Sequence, residues 1–110
     1  MINLNQPYTL GIWMVKAGNE QSFIEEWKAF AEWTSKNQRG VGSGYLLQDI
    51  TNPHRFISFG NWENLDVIKE WRERPEFKAF VDKVKLFCED FHPHTMKLVA
   101  ASETADSKKK

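Results

Sequence analysis

Two tryptophans, Trp62 and Trp71, are the residues of this chain best suited to chemistry on a flat molecule. An indole offers a wide π-face and one N–H donor, so it can stack an aromatic ring and still hold a polar atom. Phe23 and Trp27, earlier in the chain, are spaced to converge on the same region, and Ser58 adds a hydroxyl within the aromatic strand that ends at Trp62. Trp62, Trp71, Phe23, Trp27 and Ser58 are therefore the candidate walls of a pocket. His54, just upstream, is a candidate base, because an imidazole at a pocket mouth suits proton transfer near neutral pH. Each residue also has an ordinary structural reading. A strand-end tryptophan packs, and a turn histidine is solvated.

Other reactive side chains fall short of a constellation. His92 and His94 stand two apart, on one face of an extended segment, and make half a metal site. No second cluster of Cys, His, Asp or Glu with ligand spacing completes it, so no metal is expected. Asp49 and Arg55 are spaced to pair across a turn. Cys88 falls at helical spacing behind Val84, where a thiol acts as a small hydrophobe. No phosphate-binding glycine loop, nucleophile elbow or CxxC motif occurs.

The elements that must position these residues are legible in the pattern. Tyr8–Val15 alternates as a strand with apolar groups on both faces: Tyr8, Leu10, Ile12 and Met14 on one, Thr9, Gly11, Trp13 and Val15 on the other. Asn19 can cap a helix running to about Lys36, with Phe23, Trp27, Phe30, Ala31 and Thr34 on one stripe. Tyr45–Ile50 and Arg55–Trp62 form a hairpin around Thr51-Asn52-Pro53-His54. Asn64 caps a short helix bearing Trp71, and Pro75 starts a longer one whose stripe is Phe77, Phe80, Val81, Val84, Cys88 and Phe91. His92-Pro93-His94 breaks it, and Thr95–Ala100 is the last strand. The order β-α-β-β-α-β predicts an α+β, ferredoxin-like fold with a four-stranded antiparallel sheet covered by helices on one face. The uncovered face is apolar, which predicts a homodimer packed sheet to sheet.

Composition bounds the rest. The chain has 110 residues, enough for one domain with its own core. Fifteen basic and fifteen acidic residues cancel, so no charge field points to nucleic acid or a membrane surface. One cysteine excludes an internal disulfide and suits a reducing compartment. There is no membrane-length apolar stretch, and Met1–Pro7 lacks the features of a signal segment, so the expected location is cytoplasmic. Residues 1–101 are expected to form the domain and 102–110 a disordered polar tail. Five tryptophans and eight phenylalanines exceed what so small an interior can hold, so some rings should face a ligand or a second subunit.

The combination of Ala17-Gly18 with Phe23 and Trp27, Asp49…Pro53-His54-Arg55-Phe56, Phe59…Trp62-Glu63 and Trp71-Arg72…Pro75-Glu76-Phe77 resembles the antibiotic biosynthesis monooxygenase-like domains of the dimeric α+β barrel superfamily. That family includes quinol and anthrone oxidisers, haem degraders and members with no settled activity. The resemblance implies a small oxidoreductase that acts on an aromatic or quinol-like molecule without a bound cofactor. Its anthrone-oxidising members use an asparagine, a tryptophan, a tyrosine and an arginine. Here Trp62 is kept, while Ser58, Ile68 and Val81 stand at the other three positions. Val81 also replaces the ligand histidine of the haem-degrading branch, which implies no haem chemistry of that kind. The rival expectation is a non-catalytic dimeric module that binds a hydrophobic small molecule.

Overall fold

In the computed structural model, which describes residues 3–102, seven elements follow in the order β1 (Pro7–Val15), α1 (Glu20–Asn37), β2 (Val41–Gln48), β3 (Arg55–Trp62), α2 (Leu65–Arg72), α3 (Pro75–Val84) and β4 (Cys88–Lys97). The strands form one antiparallel sheet in the order β2-β3-β1-β4. This is the ferredoxin-like α+β plan expected from the sequence, with the second helical segment split at Pro75. Nearly all of the expected tail, from residue 103 onward, lies outside the described residues.

Alternation divides each strand as period two requires. Trp13 and Val15 of β1 and Phe56 and Trp62 of β3 are buried on the side that meets the helices. Phe23 of α1 is completely buried, its ring 5.0 Å from Trp13 and 5.1 Å from Phe56. With Val15 and Val84 they form the main core cluster. A second cluster of Trp62, Val67 and Ile68 gathers under α2. Asn64 caps that helix as expected, its side-chain oxygen accepting the Val67 N–H at 3.0 Å. Asn19 precedes α1 without a side-chain capping bond. There Glu20 turns back and accepts the Gly18 N–H at 3.0 Å.

Three boundaries depart from the sequence reading, each for a physical reason. The long helix ends at Val84, and Cys88 and Phe91 belong to β4. Positions 84, 88 and 91 happen to keep helical phase, but β1 lies inside the sheet and needs a second neighbour along its whole length. Residues 88–97 supply it. Phe91 then stacks on Trp13 at 3.9 Å and 11°. The His92-Pro93-His94 segment is accordingly strand, and Pro93, which has no N–H to donate, is tolerated because β4 is an edge. In β2, pairing starts at Val41 and stops at Gln48. Asp49 leaves the strand to accept the N–H groups of Thr51 and Asn52, and Ile50 is exposed. Those two backbone bonds hold the Asp49 carboxyl below the usual carboxylate range. The register shifts between Val41 and Gly44, a bulge at which Asn61 accepts the Ser43 N–H at 3.0 Å.

A polar clamp sets α2 against α1. Gln38, buried at the end of α1, donates to Glu70 at 2.8 Å and accepts from Arg74 at 3.2 Å. The first of these bonds is the largest influence holding the Glu70 carboxyl below its ordinary value. The chain then reverses through Gly40 at φ 77°, a left-handed conformation that suits glycine.

Candidate functional site

Between the two core clusters the helix-facing floor of the sheet is built from small residues. Gly11 lies opposite Ser58, and Gly60 opposite Gly44. Large rings stand at both ends of this floor, with Trp13 and Phe91 at one and Trp62 and Trp71 at the other. Side chains of α1 and α3 roof it. The missing volume in the middle leaves a cavity of about 510 Å³, inside the range of roughly 300–1,000 Å³ typical of small-molecule sites. Trp27, Phe30 and Phe80 complete its aromatic wall. The rings of Phe30 and Phe80 stack at 4.3 Å and 8°, joining α1 to α3 across it.

Three of the four indoles around the cavity are tied to hydroxyls. Trp13 donates to Ser58, Trp62 to Thr9 and Trp71 to Thr34, each at 3.0 Å. A hydroxyl that accepts from an indole keeps its own O–H to donate elsewhere. Ser58, Thr9 and Thr34 all line the cavity, so it combines stacking surfaces with polar hydrogens. Gly11 is needed for this arrangement. A Cβ there would come within 2.9 Å of the Ser58 hydroxyl oxygen and 3.0 Å of Trp13 Nε1, forcing that pair apart.

Residues 10–83 match the antibiotic biosynthesis monooxygenase family in sequence. The chain belongs to this family. The fold agrees with it. A Deinococcus radiodurans structure, of a protein proposed to be an antibiotic biosynthesis monooxygenase, superposes with a TM-score of 0.78 at 16% identity, covering 89% of this chain and 97% of its own. A Shewanella oneidensis protein gives 0.79 at 19% identity, over 92% and 98% of the two chains. A variant of SnoaB, a cofactor-independent oxygenase from Streptomyces nogalater, gives 0.77 at 14% identity, over 92% and 97%. At such identities these likenesses concern the fold alone. No curated protein matches the chain in sequence.

Within this antibiotic biosynthesis monooxygenase domain the expected site residues separate into two groups. Trp27, Ser58, Trp62 and Trp71 all line the cavity, with the rings of Trp62 and Trp71 4.7 Å apart. Phe23 and His54 do not. Phe23 lies behind Trp13 at 0% exposure, a core residue rather than a wall. His54 sits in the β2–β3 turn, where its carbonyl accepts the Val15 N–H at 2.8 Å. Its Nδ1 is 2.7 Å from a Glu20 carboxylate oxygen, a close contact without good hydrogen-bond alignment. The Glu20 carboxyl is held below its ordinary value, chiefly by its own backbone N–H and with help from His54. His54 thus spans a turn and a helix start and is no base for this cavity. Of the two aliphatic replacements noted in the sequence, Val81 faces the cavity and Ile68 is buried in the second cluster.

Among the described residues no three His, Cys, Asp or Glu gather as metal ligands, and no helix is long and apolar enough to cross a membrane. His92 pairs with Asp90 at 2.8 Å on the sheet's outer face. Cys88 is half-buried at the start of β4, and that burial pushes its thiol up to about 11, which keeps it protonated at neutral pH.

Two features of the cavity escaped the sequence reading. The small-residue floor was visible as Gly11, Ser58 and Gly60 on helix-facing positions, a gap in an otherwise aromatic pattern. Arg72, next to Trp71, also lines the cavity. Nothing in its local sequence separates it from a solvated helix charge.

Proposed function

We propose that this domain is a cofactor-independent oxidoreductase acting on a planar quinol- or naphthol-like molecule held between its sheet and helices. The observation that carries the reading is the cavity of about 510 Å³, walled by Trp27, Trp62 and Trp71 and supplied with the hydroxyls of Thr9, Thr34 and Ser58. Family membership and the fold shared with a cofactor-independent oxygenase support it. An ionised electron-rich phenol can itself reduce dioxygen. A quinol gives up two electrons and two protons to dioxygen, leaving quinone and hydrogen peroxide. In a naphthol the ring C–H para to the hydroxyl instead becomes a quinone carbonyl. There one oxygen atom enters the product, and the other leaves as water with the hydrogens displaced from carbon and oxygen. The protein's part is to bind the ring, stabilise its anion through hydroxyl donors and exclude water.

The position of His54 favours a second reading, a non-catalytic module that binds a hydrophobic molecule, because the expected base is off the cavity. Oxygen uptake with a panel of quinols, naphthols and anthrones separates the two. Enzyme-dependent uptake with quinone formation is expected. Saturable quenching of tryptophan fluorescence by a naphthol, with no uptake above the uncatalysed rate across the panel, would leave only the binding module.

We also propose that the working unit is a homodimer packed through the open sheet face. That face carries Leu10, Ile12, Met14 and Ile57, along with Tyr45, Leu47 and Met96 at 54%, 55% and 46% exposure. A contiguous apolar surface of this kind is rare on a monomer. Light scattering at micromolar concentration should give twice the mass of one chain, and a monomer there would defeat this proposal.

A further inference from the structure

Arg72 ends α2 at the edge of the cavity, half-buried beside Trp71. Its Nη1 donates to Thr95 of β4 at 2.8 Å, and its Nη2 reaches the His94 carbonyl at 3.5 Å. A guanidinium has five N–H donors, so this neutral pair leaves several unused. The chain's other arginines are matched with carboxylates: Arg39 with Glu70, Arg55 with Asp49, and Arg74 with Glu76. Among the described residues Arg72 has no acidic partner. The other charged residues on the cavity, Lys28 and Glu32, are exposed on α1. Burial alone lowers the Arg72 pKa, yet a guanidinium stays charged under any physiological condition. A half-buried cation without a counter-ion, on the rim of an aromatic cavity, is a configuration that an anionic ligand completes.

Position says where that anion sits. Thr95 lies directly across from Thr9 in the β1–β4 register, and Thr9 holds the Trp62 indole. Arg72 and the Trp62–Trp71 pair are therefore at the same end of the floor. We infer that Arg72 anchors a negatively charged oxygen of the ligand, a carboxylate or an ionised phenol, while the ligand's ring lies against Trp62 and Trp71. This deepens the reading of the cavity as an aromatic site and rests on it.

Isothermal titration calorimetry with naphthoate, its neutral amide naphthamide, and dinitronaphtholate tests the anchor on the unmodified protein. At least one of the two anions should bind roughly ten- to a hundredfold more tightly than naphthamide, the range expected for a charged hydrogen bond. The tighter anion identifies the oxygen as carboxylate or phenolate. Arg72→Gln, which keeps a donor for Thr95, should remove that preference and leave naphthamide affinity within about twofold. Arg72→Lys should restore part of it. Naphthamide binding as well as both anions would overturn the anchor and leave the aromatic site standing. So would an anion preference that survives in Arg72→Gln. If none of the three probes binds, both readings fall.

Discussion

Phe23→Ala is expected to destabilise the domain by about 3–5 kcal/mol, the cost of deleting a fully buried ring from a packed core. The ring fills the angle between Trp13 and Phe56, 5.0 and 5.1 Å from them. For a domain of this size that is a large share of a total of about 5–15 kcal/mol, so urea unfolding should begin at much lower denaturant. The milder Phe23→Leu separates stability from binding. It should lose part of that stability while leaving naphthoate affinity within about twofold, because Phe23 is off the cavity wall. A loss of affinity as large as that of Trp71→Leu would place Phe23 in the site after all.

Gly40→Ala should cost about 2–4 kcal/mol, more than an alanine usually does in a loop. Two penalties add. Gly40 is held at φ 77°, where a side chain costs about 1–2 kcal/mol, and the new Cβ would stand 2.9 Å from both methyl carbons of buried Val67. Gly18 supplies the control. It has φ 88° but nothing within 4 Å of its Cβ, so Gly18→Ala carries only the backbone penalty. Thermal unfolding of the two variants should differ by several degrees, at roughly 4 °C or more per kcal/mol. Equal melting temperatures would mean that Val67 yields to the methyl and the contact is not tight. Since Val67 packs with Trp62 under α2, the larger loss should also weaken ligand binding.

Much of the scaffold could be read from residue pattern. The alternation in Tyr8–Val15 assigned both faces of β1, Asn64 marked the start of α2, and Pro75 marked that of α3. The reading failed where local pattern and sheet topology compete. Cys88 and Phe91 continue the helical phase of Val84, yet they are strand residues because the inner strand β1 requires a partner. The same limit applies to the site. Trp62 and Trp71 announce themselves by type, but a cavity is defined by what is missing. Its floor is the absence of volume at Gly11, Ser58 and Gly60, which appears only once strands are aligned across the sheet. His54 was misplaced for a related reason. Closeness to Trp62 in sequence says little when the eight-residue strand β3 that Trp62 ends carries the chain to the other end of the sheet.

The two edges of the sheet bear on how the protein survives at cellular concentration. An open four-stranded sheet presents a row of unpaired backbone groups along each outer strand, and such rows invite chains to stack indefinitely. Here both rows are interrupted. On β4, Pro93 removes a donor, and on β2 the bulge between Val41 and Gly44 bends the strand out of line. Runaway stacking is thereby blocked along both rims. In the proposed homodimer, self-recognition falls to a sheet face that closes on itself after two copies, an arrangement that keeps a chain so rich in aromatic residues from polymerising.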